Sequence, residues 1–412
     1  MSILSIHPTS NKNFFYLIKA LKKNFLLKAI FLSLNINSNN KVYSFLPKKI
    51  RFYLKRRDFT KFKTDTYSLM PIFELSRLLN SKLKMNNIFA EKILNDFFSE
   101  NKLYVRFDKE ASNKIKKILT INKVYAYEGS ALETFRVAKK IGIRCIYELP
   151  INYWRERKNI INKEYHKNKR YRKFLNYDDL KSFNKRIDEE LSLADQIIVP
   201  STKIKKSLSL YSRKLSNINV INYPYDPIIK STKKIWFNGK LKLKVLFVGR
   251  LDSRKGMVQI TEAIKYLKKK KQLNNFEIIF IGSGKFYNKV KSEFNEITIY
   301  PSLPNNLVMD MMQKSDVLLF PSLFEGYGLS AVEAMSRGMT VICSKDCGFL
   351  DSCSNKDVMI LKSNTSLNIS KSLMLLFKNP KLVKKIGLNA INAASKYQFD
   401  EYQKKLINII GK

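Results

Sequence analysis

The chain has 412 residues, more than one hydrophobic core usually organises, so two domains are expected. Its 45% hydrophobic and 12% aromatic content excludes wholesale disorder, and 77 Lys+Arg against 34 Asp+Glu gives a formal charge of +43. That excess suits nucleic acid, anionic lipid or phosphorylated ligands, while lysines spread along the whole chain equally fit biased composition.

In chain order, the opening segment "MSILSIHPTSNKNFFYLIKALKKNFLLKAIFLSLNI" is interrupted by Lys19, Lys22, Lys23 and Lys28. No stretch there approaches the ~20 apolar residues of a membrane span. It also lacks the pattern of a secretory signal, so a cytoplasmic protein is expected. The four cysteines (Cys145, Cys343, Cys347, Cys353) have no C-x-x-C spacing, which argues against zinc or disulfides and fits a reducing compartment.

The runs "ILSIHP", "AIFLSL", "KVYAYE", "IRCIYELP", "QIIVPS" and "INVINYP" are rich in β-branched and aromatic residues and read as strands. Segments of helical period lie between most of them, such as residues 131–141 and 187–194. Residues 37–107 read as mostly basic and helical, with no clear strand. After the turn-rich joint "YPYDPIIKSTKKIWFNGKLK" the alternation restarts with "KVLFVGR", "FEIIFIGSG", "ITIYPS", "VLLFPS" and "MTVICS". Strands separated by helices in this way imply parallel sheets covered on both faces. The expected organisation is α/β: a doubly wound Rossmann-like domain over residues 1–225, a linker over 226–243, and a second such domain over 244–390. Ligands in such sheets sit at the carboxyl ends of strands.

Two basic runs with interleaved aromatics, residues 47–63 and 153–174, suit an anionic membrane surface or single-stranded nucleic acid; a solvated face with its aromatics turned inward is the plainer alternative.

The residues just after the second-domain strands carry the chemistry. "VLFVGRLDSRKG" places Gly249, Arg250, Arg254, Lys255 and Gly256 after a strand, where cations can converge on phosphate oxygens or form an ordinary solvated turn. "IGSGK" adds Gly282 and Gly284. "FPSLFEGYGLSAVEAMSRGMTVI" then sets Glu325 before the bend Gly326-Tyr327-Gly328 and Glu333 eight positions later. Ser330 and Glu333 have capping-box spacing, a structural role for Glu333 that leaves Glu325 unexplained. A helix entered through a glycine bend offers free N–H groups to a phosphate. The two carboxylates then flank a diphosphate and accept hydrogen bonds from hydroxyls on either side, the layout of a nucleotide-sugar. No D-x-D triplet and no cluster at metal-ligand spacing is visible, so a metal-independent reaction with no cofactor is expected.

"GRLDSRKG" followed by "FEGYGLSAVEAMSRGMTVI" resembles the second domain of family 4 glycosyltransferases, a retaining group of GT-B architecture. "ELSLADQIIVPS" and "SKYQFDEYQKKL" agree with it, strongly from about Asp188 onward. The resemblance implies GT-B, two doubly wound Rossmann-like domains facing a cleft. It also implies a C-terminal helix, residues 391–412, crossing back to the first domain. It implies that Arg250 and Lys255 grip the donor diphosphate, that Glu325 lies near the donor sugar and that Glu333 holds the ribose. Gly249, Gly282, Gly326, Tyr327, Gly328 and Leu329 would line the donor site, and Tyr300 would border the base.

The histidine that many members place in the first domain is missing here. His7 and Glu128, each following a strand, are the acceptor-side candidates. The activity implied is transfer of a sugar from a nucleotide-diphosphate sugar to a glycan, lipid-linked or small glycoside acceptor. The alternatives are a nucleotide-sugar epimerase of the same architecture, or a basic nucleic-acid- or membrane-binding protein on a degenerate scaffold. A sugar-transfer site makes contact with an anionic membrane a more economical use of the basic runs than nucleic acid.

Overall fold

The computed structural model of the chain describes residues 1–39, 43, 51, 54–80, 94, 96–118, 120–175, 181–215, 217–225 and 235–411. The first sheet contains β1 (Ile3–Ile6), β2 (Leu27–Leu32), β3 (Asp65–Ser68), β4 (Lys123–Tyr127), β5 (Arg144–Glu148), β6 (Gln196–Val199) and β7 (Ile218–Val220). Their order is β3-β2-β1-β4-β5-β6-β7, and every pairing is parallel. The second contains β8 (Leu243–Val248), β9 (Phe276–Ile281), β10 (Ile297–Tyr300), β11 (Val317–Phe320), β12 (Thr340–Cys343) and β13 (Met359–Ile360). Its order, β10-β9-β8-β11-β12-β13, repeats the same winding, again all parallel.

The helices are α1 (Lys12–Lys23), α2 (Pro71–Asn80), α3 (Glu100–Ile115), α4 (Leu132–Lys140), α5 (Trp154–Lys167), α6 (Lys181–Leu193) and α7 (Thr202–Ser207) in the first half. In the second half they are α8 (Met257–Lys269), α9 (Tyr287–Glu293), α10 (Asn305–Lys314), α11 (Leu329–Met335), α12 (Ser366–Lys378), α13 (Pro380–Ala394) and α14 (Phe399–Gly411).

Every apolar run read as a strand forms one, because a strand covered on both faces needs apolar side chains at odd and even positions alike. Along β4, Val124 and Ala126 join Phe31, Phe107 and Phe135 on one face, while Tyr125 and Tyr127 join Ile30, Ile146 and α1 on the other. The second sheet divides in the same way, with Val245 and Phe247 facing α8 and α12, and Leu246 facing α11 and α13.

Two strands escaped the sequence reading. β3, inside the stretch read as strandless, is the polar Asp-Thr-Tyr-Ser at the sheet edge. β13 is only two residues long. The single helix expected over 391–412 is two. α13 ends at Ala394 and packs on the second sheet, while α14 lies on the first, with Phe399, Tyr402, Leu406 and Ile410 in the cluster around α1. The break is pinned where the Tyr225 N–H donates to the Tyr397 carbonyl and the Tyr397 hydroxyl donates to the Phe349 carbonyl. Residues 226–234 of the expected linker lie outside the described residues.

The carboxyl ends of the two sheets face each other. The loops after β5 and β6 meet the loop after β11: the Ser201 hydroxyl donates to the Gly326 carbonyl at 3.0 Å, and Gly326 lies flush against the Pro150 carbonyl. A strap from the first half reinforces this closure. On α5, Ile161 packs on Leu323 and Phe324, and Glu164 accepts from Gln259 at 2.6 Å. Beyond it, Tyr171 and Phe174 stack on Phe286. The basic run over residues 153–174 is therefore not a free face, since its aromatics pack within the protein and across the cleft. In the other run, Phe59 and Phe62 are buried in the first half; residues 47–50, 52 and 53 lie outside the described residues.

Candidate active site

The turn after β8 is a short helical segment, Ser253–Lys255, capped by the Asp252 carboxylate on the Lys255 N–H at 3.1 Å. The cap turns the last two side chains toward the bend after β11. The Lys255 ammonium is in direct contact with the Glu325 carboxylate, and Arg254 Nη1 lies 3.2 Å from the same oxygen. Burial alone would raise the Glu325 carboxyl's pKa, but the Lys255 and Arg254 charges outweigh it and hold the group below its ordinary range. Glu325 is therefore a buried carboxylate kept ionised by two cations. The Lys255 ammonium also sits 4.8 Å from the centre of the Phe320 ring.

Arg250 does not join this cluster. Its side chain is 74% exposed, with Nε 3.4 Å from Asp252. Arg254, its neighbour in the same string, joins Lys255 at Glu325 instead.

The glycine loops behind Lys255 are in contact. The Gly249 N–H donates to the Ile281 carbonyl and the Gly282 N–H to that of Tyr300, so the ends of β8, β9 and β10 lie side by side. A β-carbon on Gly282 would stand 1.8 Å from the Gly249 carbonyl oxygen, which explains why no larger residue fits there. Tyr300, at the end of β10, is part-exposed.

After Glu325 the bend runs along the first half of the chain. Gly326 meets Pro150 and Ser201, and Tyr327 is buried between the rings of Tyr223 and Tyr397. Gly328, with φ +98°, caps α11, and Leu329 is its first residue. The capping box read from Ser330 and Glu333 does not form, because the glycine starts the helix two residues earlier and no side chain caps it. Glu333 instead crosses the cleft: its carboxylate lies 2.9 Å from the Lys12 ammonium at the start of α1. Burial would lower the Lys12 pKa, but Glu333 more than offsets this and raises it. Lys12 also sits 5.1 Å from the Tyr225 ring centre.

In the first half, the acceptor-side candidates occupy the switch point of the sheet, between β1 and β4. His7 is buried and committed to its own loop. Its Nδ1 accepts from the N–H groups of Thr9 and Ser10, Nε2 lies 3.1 Å from Asn11 Nδ2, and the ring packs on Tyr127. Burial, then the Arg56 charge, lowers its pKa to about 3, so the ring is neutral. Asn11 caps α1 on the Phe14 N–H, so His7 fixes the loop that sets Lys12. Glu128, next after β4, is held by Arg157 Nη2 at 2.6 Å; burial raises its pKa against that charge.

The α4 N-terminus nearby is already filled. Asp108 accepts from the N–H groups of Glu133 and Thr134, and Glu190 from those of Gly129 and Ala131.

Lys12, Ser201 and Arg157 were not among the residues singled out from sequence; no spacing rule reaches across two domains to find them. Glu148, the last residue of β5, was not singled out either. It is fully buried among the hydroxyls of Tyr125 and Tyr223, with Tyr127 and Tyr402 close by, and burial raises its pKa to about 7 against those hydrogen bonds. A cavity of about 460 Å³ lined by Trp236, Phe237, Lys244 and Asp316 lies at the amino ends of β8 and β11, away from this chemistry.

Residues 229–393, which hold the Lys255–Glu325 cluster, match the family described as glycosyl transferases group 1. An uncharacterized glycosyltransferase of Methanocaldococcus jannaschii is 26% identical over 216 residues, 50% of this chain and 57% of that protein. The UDP-Gal:alpha-D-GlcNAc-diphosphoundecaprenol alpha-1,3-galactosyltransferase of Escherichia coli is 29% identical over 121 residues, 26% of this chain and 31% of that protein. The chain thus spans about half or less of these relatives' lengths. The solved sucrose-phosphate synthase of Thermosynechococcus elongatus superposes with a TM-score of 0.66 at 12% identity, covering 100% of this chain and 98% of that one. Residues 229–393 thus resemble the group 1 glycosyl transferases, and the two parallel sheets of the chain form the GT-B fold.

Proposed function

We propose that the protein transfers a sugar from a nucleotide-diphosphate sugar to a hydroxyl acceptor, with retention at the anomeric carbon. The observation that carries this reading is the buried Glu325 carboxylate gripped by Lys255 and Arg254 at the carboxyl end of β11. The cations neutralise the donor diphosphate, and Glu325 accepts from a sugar hydroxyl beside it. Glu333 takes the ribose hydroxyls, Tyr300 borders the base, and Gly249, Gly282 and the Gly326–Leu329 bend bring backbone close to the phosphates and sugar. In the transfer step the anomeric C–O bond breaks with its electron pair leaving on the diphosphate. The acceptor oxygen bonds the same face of that carbon and passes its proton to the departing phosphate oxygen.

A UDP-sugar donor and a lipid-linked acceptor are the first candidates, supported by the name of the Escherichia coli relative. The acceptor enters from the first half of the chain, at the cytoplasmic face of a membrane. Helix α2 supports that placement: it turns Glu74 inward onto Arg57 and Arg77 and leaves Ile72, Leu75 and Leu79 exposed, three residues on one side of the helix. No helix among the described residues is long and apolar enough to cross a membrane, so contact would be peripheral. Sedimentation with anionic vesicles at physiological salt tests it, and protein left entirely in the supernatant would exclude it.

Thermal unfolding against UDP-, GDP-, ADP- and dTDP-sugars tests the donor site. A ligand at 100 times its dissociation constant should add about 2.7 kcal/mol. No shift with any of them, in folded protein, would reject the reading.

A further inference from the structure

The first half of the chain holds an ion pair with spare capacity at the point where it closes on the bend. Ligands in open α/β sheets bind at the switch point, which in the first sheet lies between the carboxyl ends of β1 and β4. His7, after β1, is used up by its own loop. Glu128, after β4, is held by Arg157 through one hydrogen bond. The Arg157 Nε is buried and has no hydrogen-bond partner among the described residues. A buried unpaired donor costs about 1–3 kcal/mol, so its persistence calls for a ligand or a functional reason.

The position of Arg157 on α5 points to which ligand. Arg157, Ile161 and Glu164 follow one another at helical spacing on one face. Ile161 packs on Leu323 and Phe324, the residues just before Glu325, and Glu164 binds Gln259. Arg157 therefore lies one turn along the face that α5 presents to the Glu325 bend. A second orphan stands beside the same contact. Asn152, two residues after the Pro150 carbonyl that touches Gly326, is 3% exposed, and its Oδ1 has no partner among the described residues.

We propose that Arg157, with the Glu128 it holds, forms a sugar subsite contributed by the first half of the chain. The spare guanidinium N–H groups donate to hydroxyl oxygens of the sugar carried on the nucleotide, and Glu128 accepts from a neighbouring hydroxyl. This subsite rests on the sugar-transfer reading, and adds that the first half of the chain reads the transferred sugar.

The test is calorimetric titration of the full chain and of Arg157→Gln and Arg157→Lys with matched pairs: UDP and UDP-galactose, GDP and GDP-mannose, ADP and ADP-glucose, dTDP and dTDP-glucose. For the pair that wild type binds, both variants should keep the nucleoside diphosphate affinity within about twofold. Both should lose about tenfold or more in affinity for the nucleotide-sugar, the worth of one or two hydrogen bonds. Lysine keeps the charge but lacks the fork, so an ion pair with a purely structural role would be restored by Arg157→Lys. Full restoration by lysine, unchanged nucleotide-sugar affinity, or a parallel loss for both ligands would overturn the subsite while leaving the donor site standing. No binding of any nucleotide by wild type would remove both.

Discussion

Pro150 and Gly326 meet backbone to backbone across the cleft: a β-carbon on Gly326 would stand 2.0 Å from the Pro150 carbonyl oxygen. The glycine bend beside Glu325 therefore also sets how tightly the two halves of the chain close.

Gly326→Ala should act on closure first. The clashing atom is backbone, so the bend or the domains must shift, at a cost of about 1–3 kcal/mol. Because the domains can part, nucleotide-sugar turnover should fall at least tenfold while each sheet stays folded. Small-angle scattering should show a more open particle; unchanged scattering and turnover would mean that the contact is absent in solution.

The strap makes a second prediction. Tyr171 lies across the cleft on Phe286, with ring centres 5.9 Å apart, and its hydroxyl meets Glu262 and Thr261. Tyr171→Ala removes a buried aromatic and should cost about 3 kcal/mol. Hydrogen exchange should quicken over residues 154–175 and 257–269 together. A loss below about 0.5 kcal/mol would show that the strap is not docked.

Glu148 predicts a pH dependence. Its carboxyl is fully buried with tyrosines from β4, the segment after β7 and α14 around it, and burial raises its pKa to about 7. The folded protein then holds this proton more tightly than the unfolded chain. Its contribution is favourable at low pH and is lost as pH rises from about 4.5 to 7, on the order of 3 kcal/mol. Glu190, also raised to about 7 by burial, adds the same trend in any variant that keeps it. The comparison is thus between wild type and Glu148→Gln by urea unfolding at pH 5 and pH 8. The variant should gain on wild type at the higher pH; a constant difference would refute the assignment.

The strands were legible because buried parallel strands are continuous apolar runs; β3 was not, since an edge strand needs no such run. The glycine bend and Lys255–Glu325 were legible as a string, but not which of Arg250, Arg254 and Lys255 meets Glu325. The Asp252 cap and the helical turn it starts decide that. His7 stood after a strand as a catalytic histidine would, and only the structure shows both its nitrogens engaged within one loop. The run over residues 153–174 looked like a basic surface because composition averages over faces. Its lysines hide Ile161, Tyr171 and Phe174, which cross the cleft.

In the proposed reaction Lys255, held by Glu325, forms the donor-diphosphate end of the sugar-transfer site. The most direct test is release of nucleoside diphosphate from whichever nucleotide-sugar stabilises wild type, measured for Lys255→Ala. Loss of one preorganised cation should cost about 10²–10³ in rate, with the folded signal intact. Wild-type release by the pure, folded variant would contradict the assignment.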